Sequence, residues 1–125
     1  MFQIVFNEIS AAEISQLSTL EQLELLNEFK VSEEDLEALH ENEGNDRFGK
    51  LERDGVTLYR FRAKDLRIYF NVDGGNVVIH RVFTANTLAD FLYRSDLPTK
   101  SEDKALAEIG SFWELIDQGK QANPT

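Results

Sequence analysis

From Thr57 to Val82 the chain reads TLYRFRAKDLRIYFNVDGGNVVIHRV, a run dominated by Val, Ile, Tyr, Phe and Thr. β-Branched and aromatic residues suit a pleated, packed surface. Two turn signals divide the run: Ala63-Lys64-Asp65, and Asp73-Gly74-Gly75-Asn76, where glycine supplies positive φ without a steric penalty. The spacing predicts an antiparallel meander with strands near 57–62, 66–72 and 77–83. Side chains alternate between the two faces of a strand. Tyr59 and Phe61 therefore oppose Leu58, Arg60 and Arg62, and Leu66, Ile68, Phe70 and Val72 oppose Arg67, Tyr69 and Asn71. The third strand alternates Val77, Ile79 and Arg81 with Val78, His80 and Val82, which leaves its inner face undecided. One face is expected to take the core. The other is expected to present Arg60, Arg62, Arg67 and Tyr69, with His80 or Arg81.

The chain has 125 residues, which predicts one domain with a proper core over 1–119 and a disordered tail over 120–125. It has no cysteine, which excludes disulfides and thiolate metal sites and points to a reducing, cytoplasmic setting. No signal peptide and no apolar run long enough to cross a bilayer is visible. The net charge of −10 is unevenly spread. Residues 1–46 hold twelve acids against one base, 47–94 five against nine, and 95–125 six against three. The middle of the chain is thus able to present a basic face amid acidic helices, although the overall acidity disfavours a phosphate-dominated affinity.

Ahead of the meander, Phe2 to Phe6 is short and β-prone and fits a first strand. Ser10-Ala11-Ala12-Glu13 and Ser18-Thr19-Leu20-Glu21 both carry the capping-box pattern. They allow one helix from about 11 to 29, or a short helix re-started near Ser18. Ile14, Leu17, Leu20, Leu23, Leu26 and Phe29 recur every three residues and are expected to form a core-facing stripe. Ser32, with acids at 33–35, begins the next helix, and Gly44 ends it, giving an acidic helical hairpin. Asn45 to Gly49 reads as a loop and Asp54-Gly55 as a turn. Lys50 and Arg53 stand just before the meander and are candidates to extend its basic face. After it come a short helical or irregular segment over Leu88–Tyr93, a loop at Leu97-Pro98-Thr99, and a last helix. That helix starts at Ser101, has Glu102 and Asp103 in its first turn, packs through Leu106, Ile109, Phe112, Trp113 and Ile116, and stops at Gly119.

Few chemistries survive elimination. His40 and His80 fall on different elements, so no metal cluster is expected, and no cofactor is implied. No phosphate loop or serine elbow is present. The arginine-bearing face remains. Guanidinium groups bind a phosphodiester bidentately and stabilise charge that develops at phosphorus. RNA carries its own nucleophile, the 2′-hydroxyl, and His80 or Tyr69 is placed to move a proton. The competing reading pairs these arginines with acids of nearby helices.

The segments Leu58-Tyr59-Arg60-Phe61-Arg62, Asp65-Leu66-Arg67-Ile68-Tyr69-Phe70 and Val77-Val78-Ile79-His80 resemble the central strands of the RelE/ParE toxin superfamily. Ile79-His80-Arg81-Val82-Phe83, with a helix after Pro98-Thr99, is more similar to its HigB branch. The resemblance spans most of residues 1–118. It implies an α+β domain with a curved antiparallel sheet, an N-terminal helical hairpin and a C-terminal helix. It also implies a toxin of a toxin–antitoxin module, cleaving mRNA at the ribosome without a metal, with a cognate antitoxin as partner. On that resemblance Arg67, Arg60, Arg62 and His80 would be catalytic. Lys50, Arg53, Arg81 and Tyr93 would contact RNA. Thr84-Ala85-Asn86 stands where the family has a basic pair. That departure, with the acidic charge, keeps open a catalytically degenerate member that binds another protein, or one that inhibits gyrase.

Overall fold

Five strands form one open sheet in the order β1-β5-β4-β3-β2. They are β1 (Gln3–Phe6), β2 (Phe48–Arg53), β3 (Val56–Ala63), β4 (Leu66–Asp73) and β5 (Asn76–Thr84). The computed structural model describes residues 2–41, 47–92 and 99–125. Gly44, residues 45 and 46 of the expected loop, Tyr93, and Leu97-Pro98 lie outside the described residues.

The three expected strands are present as β3, β4 and β5, and the turn at Asp54-Gly55 joins β2 to β3. The sheet is mixed, however, and not wholly antiparallel: β1 runs parallel to β5, with Gln3 opposite Asn76. β2 stands where a loop and two flanking cations had been expected, pairing antiparallel with β3. Its apolar residues are offset by three, so Phe48 and Leu51 enter opposite cores. A strand buried on both faces loses the alternation that identifies one in sequence.

β5 contains a bulge. Tyr69 pairs with Arg81 and Phe70 with Ile79, which leaves His80 as the extra residue. A bulge places two residues opposite one and reverses the side-chain phase beyond it. This is why neither inner face of β5 was consistent in sequence: Val77 and Ile79 enter one core before the bulge, and Val82 enters it after.

The N-terminal layer is three short helices, not a hairpin: α1 (Glu8–Ser15), α2 (Thr19–Glu28) and α3 (Glu33–Glu41). The re-start at Ser18 is present, with Ser18 and Glu21 closing a capping box, and Ser32 and Asp35 bond each other's backbone amides before α3. The cap of α1 is Asn7, not Ser10; Ser10 is the returning partner of the box. Asn7 also donates its side-chain amide to the Ile79, His80 and Gly119 carbonyls. The α1 cap therefore satisfies the backbone that the bulge would leave unpaired.

On the opposite face lie α4 (Ala85–Ala89), α5 (Thr99–Ala107) and α6 (Gly110–Gln121). The single expected C-terminal helix is broken at Glu108-Ile109, and the Trp113 indole donates to the Ala107 carbonyl at the break. Gly119 lies inside α6 and does not stop it: a Cβ there would overlap the His80 carbonyl, so glycine lets the helix approach the bulge. Residues 120–125, expected as a disordered tail, continue α6 to Gln121 and then bond the start of the chain, with Glu8 N–H to Asn123 and Thr125 N–H to Phe6.

The sheet is thus packed on both sides. Phe29, Phe48, Phe61 and Phe70 interlock under the N-terminal helices, with Phe29 and Phe61 rings 4.9 Å apart. Tyr69, Phe83, Phe112 and Ile116 do so under the C-terminal ones. No helix among the described residues is long and apolar enough to cross a membrane.

Candidate functional site

The arginines of the expected basic face fall into cross-strand rows. Arg60 pairs with Tyr69, which pairs with Arg81, and Arg62 pairs with Arg67. The strands bring these candidates together, but the face is not open to solvent. Arg60 is fully buried and Arg67 nearly so. α5 covers them and supplies a carboxylate to each. Asp103 accepts from Arg60 Nε at 3.2 Å and Nη2 at 2.9 Å. Glu102 accepts from Arg67 Nε at 2.9 Å and Nη2 at 3.3 Å, while Arg67 Nη1 donates to the Lys64 and Leu66 carbonyls. Both acids are buried. Burial raises the Asp103 carboxyl above the usual carboxylate range, against the opposing pull of Arg60. Gly49, opposite Arg60 on β2, leaves room for this pair, because a Cβ there would overlap both the guanidinium and the Asp103 carboxylate.

Arg81 is held in the same manner from the other side of the molecule. Its Nε and Nη2 meet Glu13 of α1 at 3.2 and 3.0 Å, and its guanidinium lies 5.0 Å from the centre of the Phe83 ring. Glu13, the capping acid of the expected box, thus engages both its oxygens with Arg81, and Oε1 also accepts from the Val82 amide. Lys50 lies 3.5 Å from Glu52, and Arg53 lies 3.8 Å from Asp54. Arg62 is exposed. Tyr93 lies outside the described residues.

Neither proton-transfer candidate is placed for that task. His80 is buried, and burial lowers its pKa to about 4, so the ring is neutral at pH 7. Asn71 donates its amide to the Thr57 carbonyl, which leaves its oxygen to accept from His80 Nε2 at 2.9 Å. The Tyr69 hydroxyl is wholly buried, finds no hydrogen-bond partner among the described residues, and has its pKa raised well above normal by desolvation. Among the described residues no group of acids and histidines is placed to hold a metal ion.

Asp103 and Glu102 were legible only as first-turn acids of a helix. Their partners are 43 and 35 residues away, and sequence carries no such distance. The one available signal was arginine alternating with Phe and Ile inside strands whose other face was already apolar.

A second feature was missed because the leucine stripe does not face the core throughout. Leu25 and Phe29 are buried, while Leu20, Leu23 and Leu26 are 66, 61 and 43 % exposed. A spacing of three rotates a stripe by about 60° per step on a helix of 3.6 residues per turn. Ile14 and Leu17 precede α2, and along α2 itself Leu20, Leu23 and Leu26 step around the side away from Leu25. Glu21, Glu24 and Glu28 form an exposed column along one flank of α2. That column borders a cleft of about 300 Å³ between α2 and the β3–β4 turn, with Leu17, Leu25, Ala63 and Leu66 in its lining. Lys64 reaches over it to Glu24 at 3.0 Å. No protein-family model, curated protein or solved structure matches the chain.

Proposed function

We propose that this protein is a non-catalytic binding module that engages another protein through its acidic N-terminal helical layer. One observation carries the reading: Arg60 and Arg67, the two cations best placed in the strand rows, are each held by a buried carboxylate of α5. A phosphate group entering there must displace a bonded acid and lift a helix from the core. Electrostatic stabilisation of a developing negative charge requires donors already aimed at vacant space. The buried neutral His80 and the buried Tyr69 hydroxyl argue in the same direction. The RelE-like, mRNA-cleaving reading, with ribosome and antitoxin as partners, is the competitor.

The test is programmed cell-free translation with added wild-type protein, followed by primer extension along the message. Full-length extension products and undiminished translation are expected. Dose-dependent cuts in the translated message that persist in EDTA would refute the module reading.

A further inference from the structure

We infer that the outer face of α2 is the docking surface for a basic amphipathic helix of a partner protein. This rests on the binding-module reading and supplies its partner class. Isolated exposed leucines are ordinary on a protein surface; three on one ten-residue helix make a patch. Leu20, Leu23 and Leu26 lie one turn apart in an oblique row, the ridge that packs into the groove of a second helix. Leu25 and Phe29 already anchor the opposite side of α2 in the core, so turning the helix to hide the row would expose them.

The charge around the row selects the occupant. Glu21, Glu24 and Glu28 line one flank, and α2 contains no basic residue. A second copy of this chain would set acid column against acid column, and like charges facing each other disfavour that pairing. A helix with apolar residues at i, i+3 and i+4 and lysine or arginine beside them matches both the row and its rim. The neighbouring cleft has a mixed lining, Leu17, Leu25 and Leu66 beside Glu21, Glu24 and Glu28, and Lys64 already bonds Glu24 there, an arrangement of aliphatic stem and cationic head that a partner's lysine would repeat on Glu21 or Glu28.

The probe is a fluorescein-labelled amphipathic peptide of leucine and lysine, about 18 residues or five turns long. Its leucine–glutamate counterpart is the control, and binding to the full chain is read by anisotropy. The leucine–lysine peptide is expected to bind and the control is not. Leu20→Ser/Leu23→Ser and, separately, Glu21→Gln/Glu24→Gln/Glu28→Gln should each weaken binding about tenfold or more, with urea midpoints confirming that each variant folds. Unchanged affinity in the leucine variant would reduce the effect to attraction by net charge and overturn the proposal. Absence of binding would overturn it too. So would a wild-type dimer in sedimentation that Leu23→Ser dissociates, because the occupant would then be a second copy. If translated mRNA stays intact while the peptide fails to bind, the docking assignment alone falls; if the message is cut, the module reading falls whatever the peptide does.

Discussion

The C-terminal helices and α2 cover the sheet by opposite rules. Under α5 and α6 the chain buries charge: Arg60 with Asp103, Arg67 with Glu102, and a neutral His80 beside Asn71. Under α2 the core is aliphatic and aromatic, with Leu25, Phe29, Phe61 and Ile68 among its members, and the chain turns three further leucines of the same helix toward solvent. Buried ions hold one another because neither can leave its partner without stranding a charge. Exposed leucines contribute little to this fold and are available to something else. Residue type alone therefore misplaces both: the arginines look like surface, and the leucines look like core.

The sharpest way to break the contrast is to remove one ion. Asp103→Ala should destabilise the protein by about 3–5 kcal/mol, because the Arg60 guanidinium is left buried without its carboxylate. Arg60→Met/Asp103→Leu, which removes both charges, should recover most of that loss. Urea unfolding of the single and double variants reads the difference. If the single variant costs under about 1 kcal/mol, the site tolerates loss of the Asp103 carboxylate and the contrast collapses.

Next comes pH. His80 has a folded pKa of about 4 against an ordinary 6.5, so between those values the unfolded chain binds more protons than the native one. Stability contributed by the neutral ring is present above pH 6.5 and is lost as pH falls toward 4. The full loss is roughly 3 kcal/mol at 1.36 kcal/mol per pH unit. Urea midpoints from pH 7 to 4.5 should fall less steeply in His80→Gln than in wild type. Parallel slopes would place the histidine outside the buried layer.

The smallest effect belongs to α2. Leu20→Ser/Leu23→Ser should change stability by no more than about 0.5 kcal/mol per site, as at other surface positions without special contacts. Thermal unfolding checks this. A loss comparable to that of Asp103→Ala would mean that the row packs against the fold after all.

How much of this was legible follows the range of the interaction responsible. The meander of β3, β4 and β5 was legible because a two-residue period and turn residues act within a few positions. The starts of α2 and α3 were legible at Ser18 and Ser32 because a capping box closes over three residues. Asn7 escaped notice as a cap, since Ser10 carried the same local signal and the deciding contacts of Asn7 lie on β5 and α6. The phase of β5 could not be read through a bulge at His80. Arg60 and Arg67 were picked out correctly as unusual and placed correctly in neighbouring strands. That acids of nearby helices pair with them was one of the two readings; their burial and the identity of those acids were not legible, because Glu102 and Asp103 arrive on a helix from the far end of the chain.

The position of β5 also sets an order of assembly. β2 through β5 are joined by tight hairpins and can pair from their neighbours outward. β1 cannot: Gln3 waits for Asn76, and Asn7 and Glu13 of the first helix wait for Ile79 and Val82. α6 waits for the same strand, since Gly119 seats against His80. Contacts of such long sequence separation close slowly, because loop entropy is lost before they form. During synthesis the first third of the chain therefore emerges before the strand on which β1 and α1 pack.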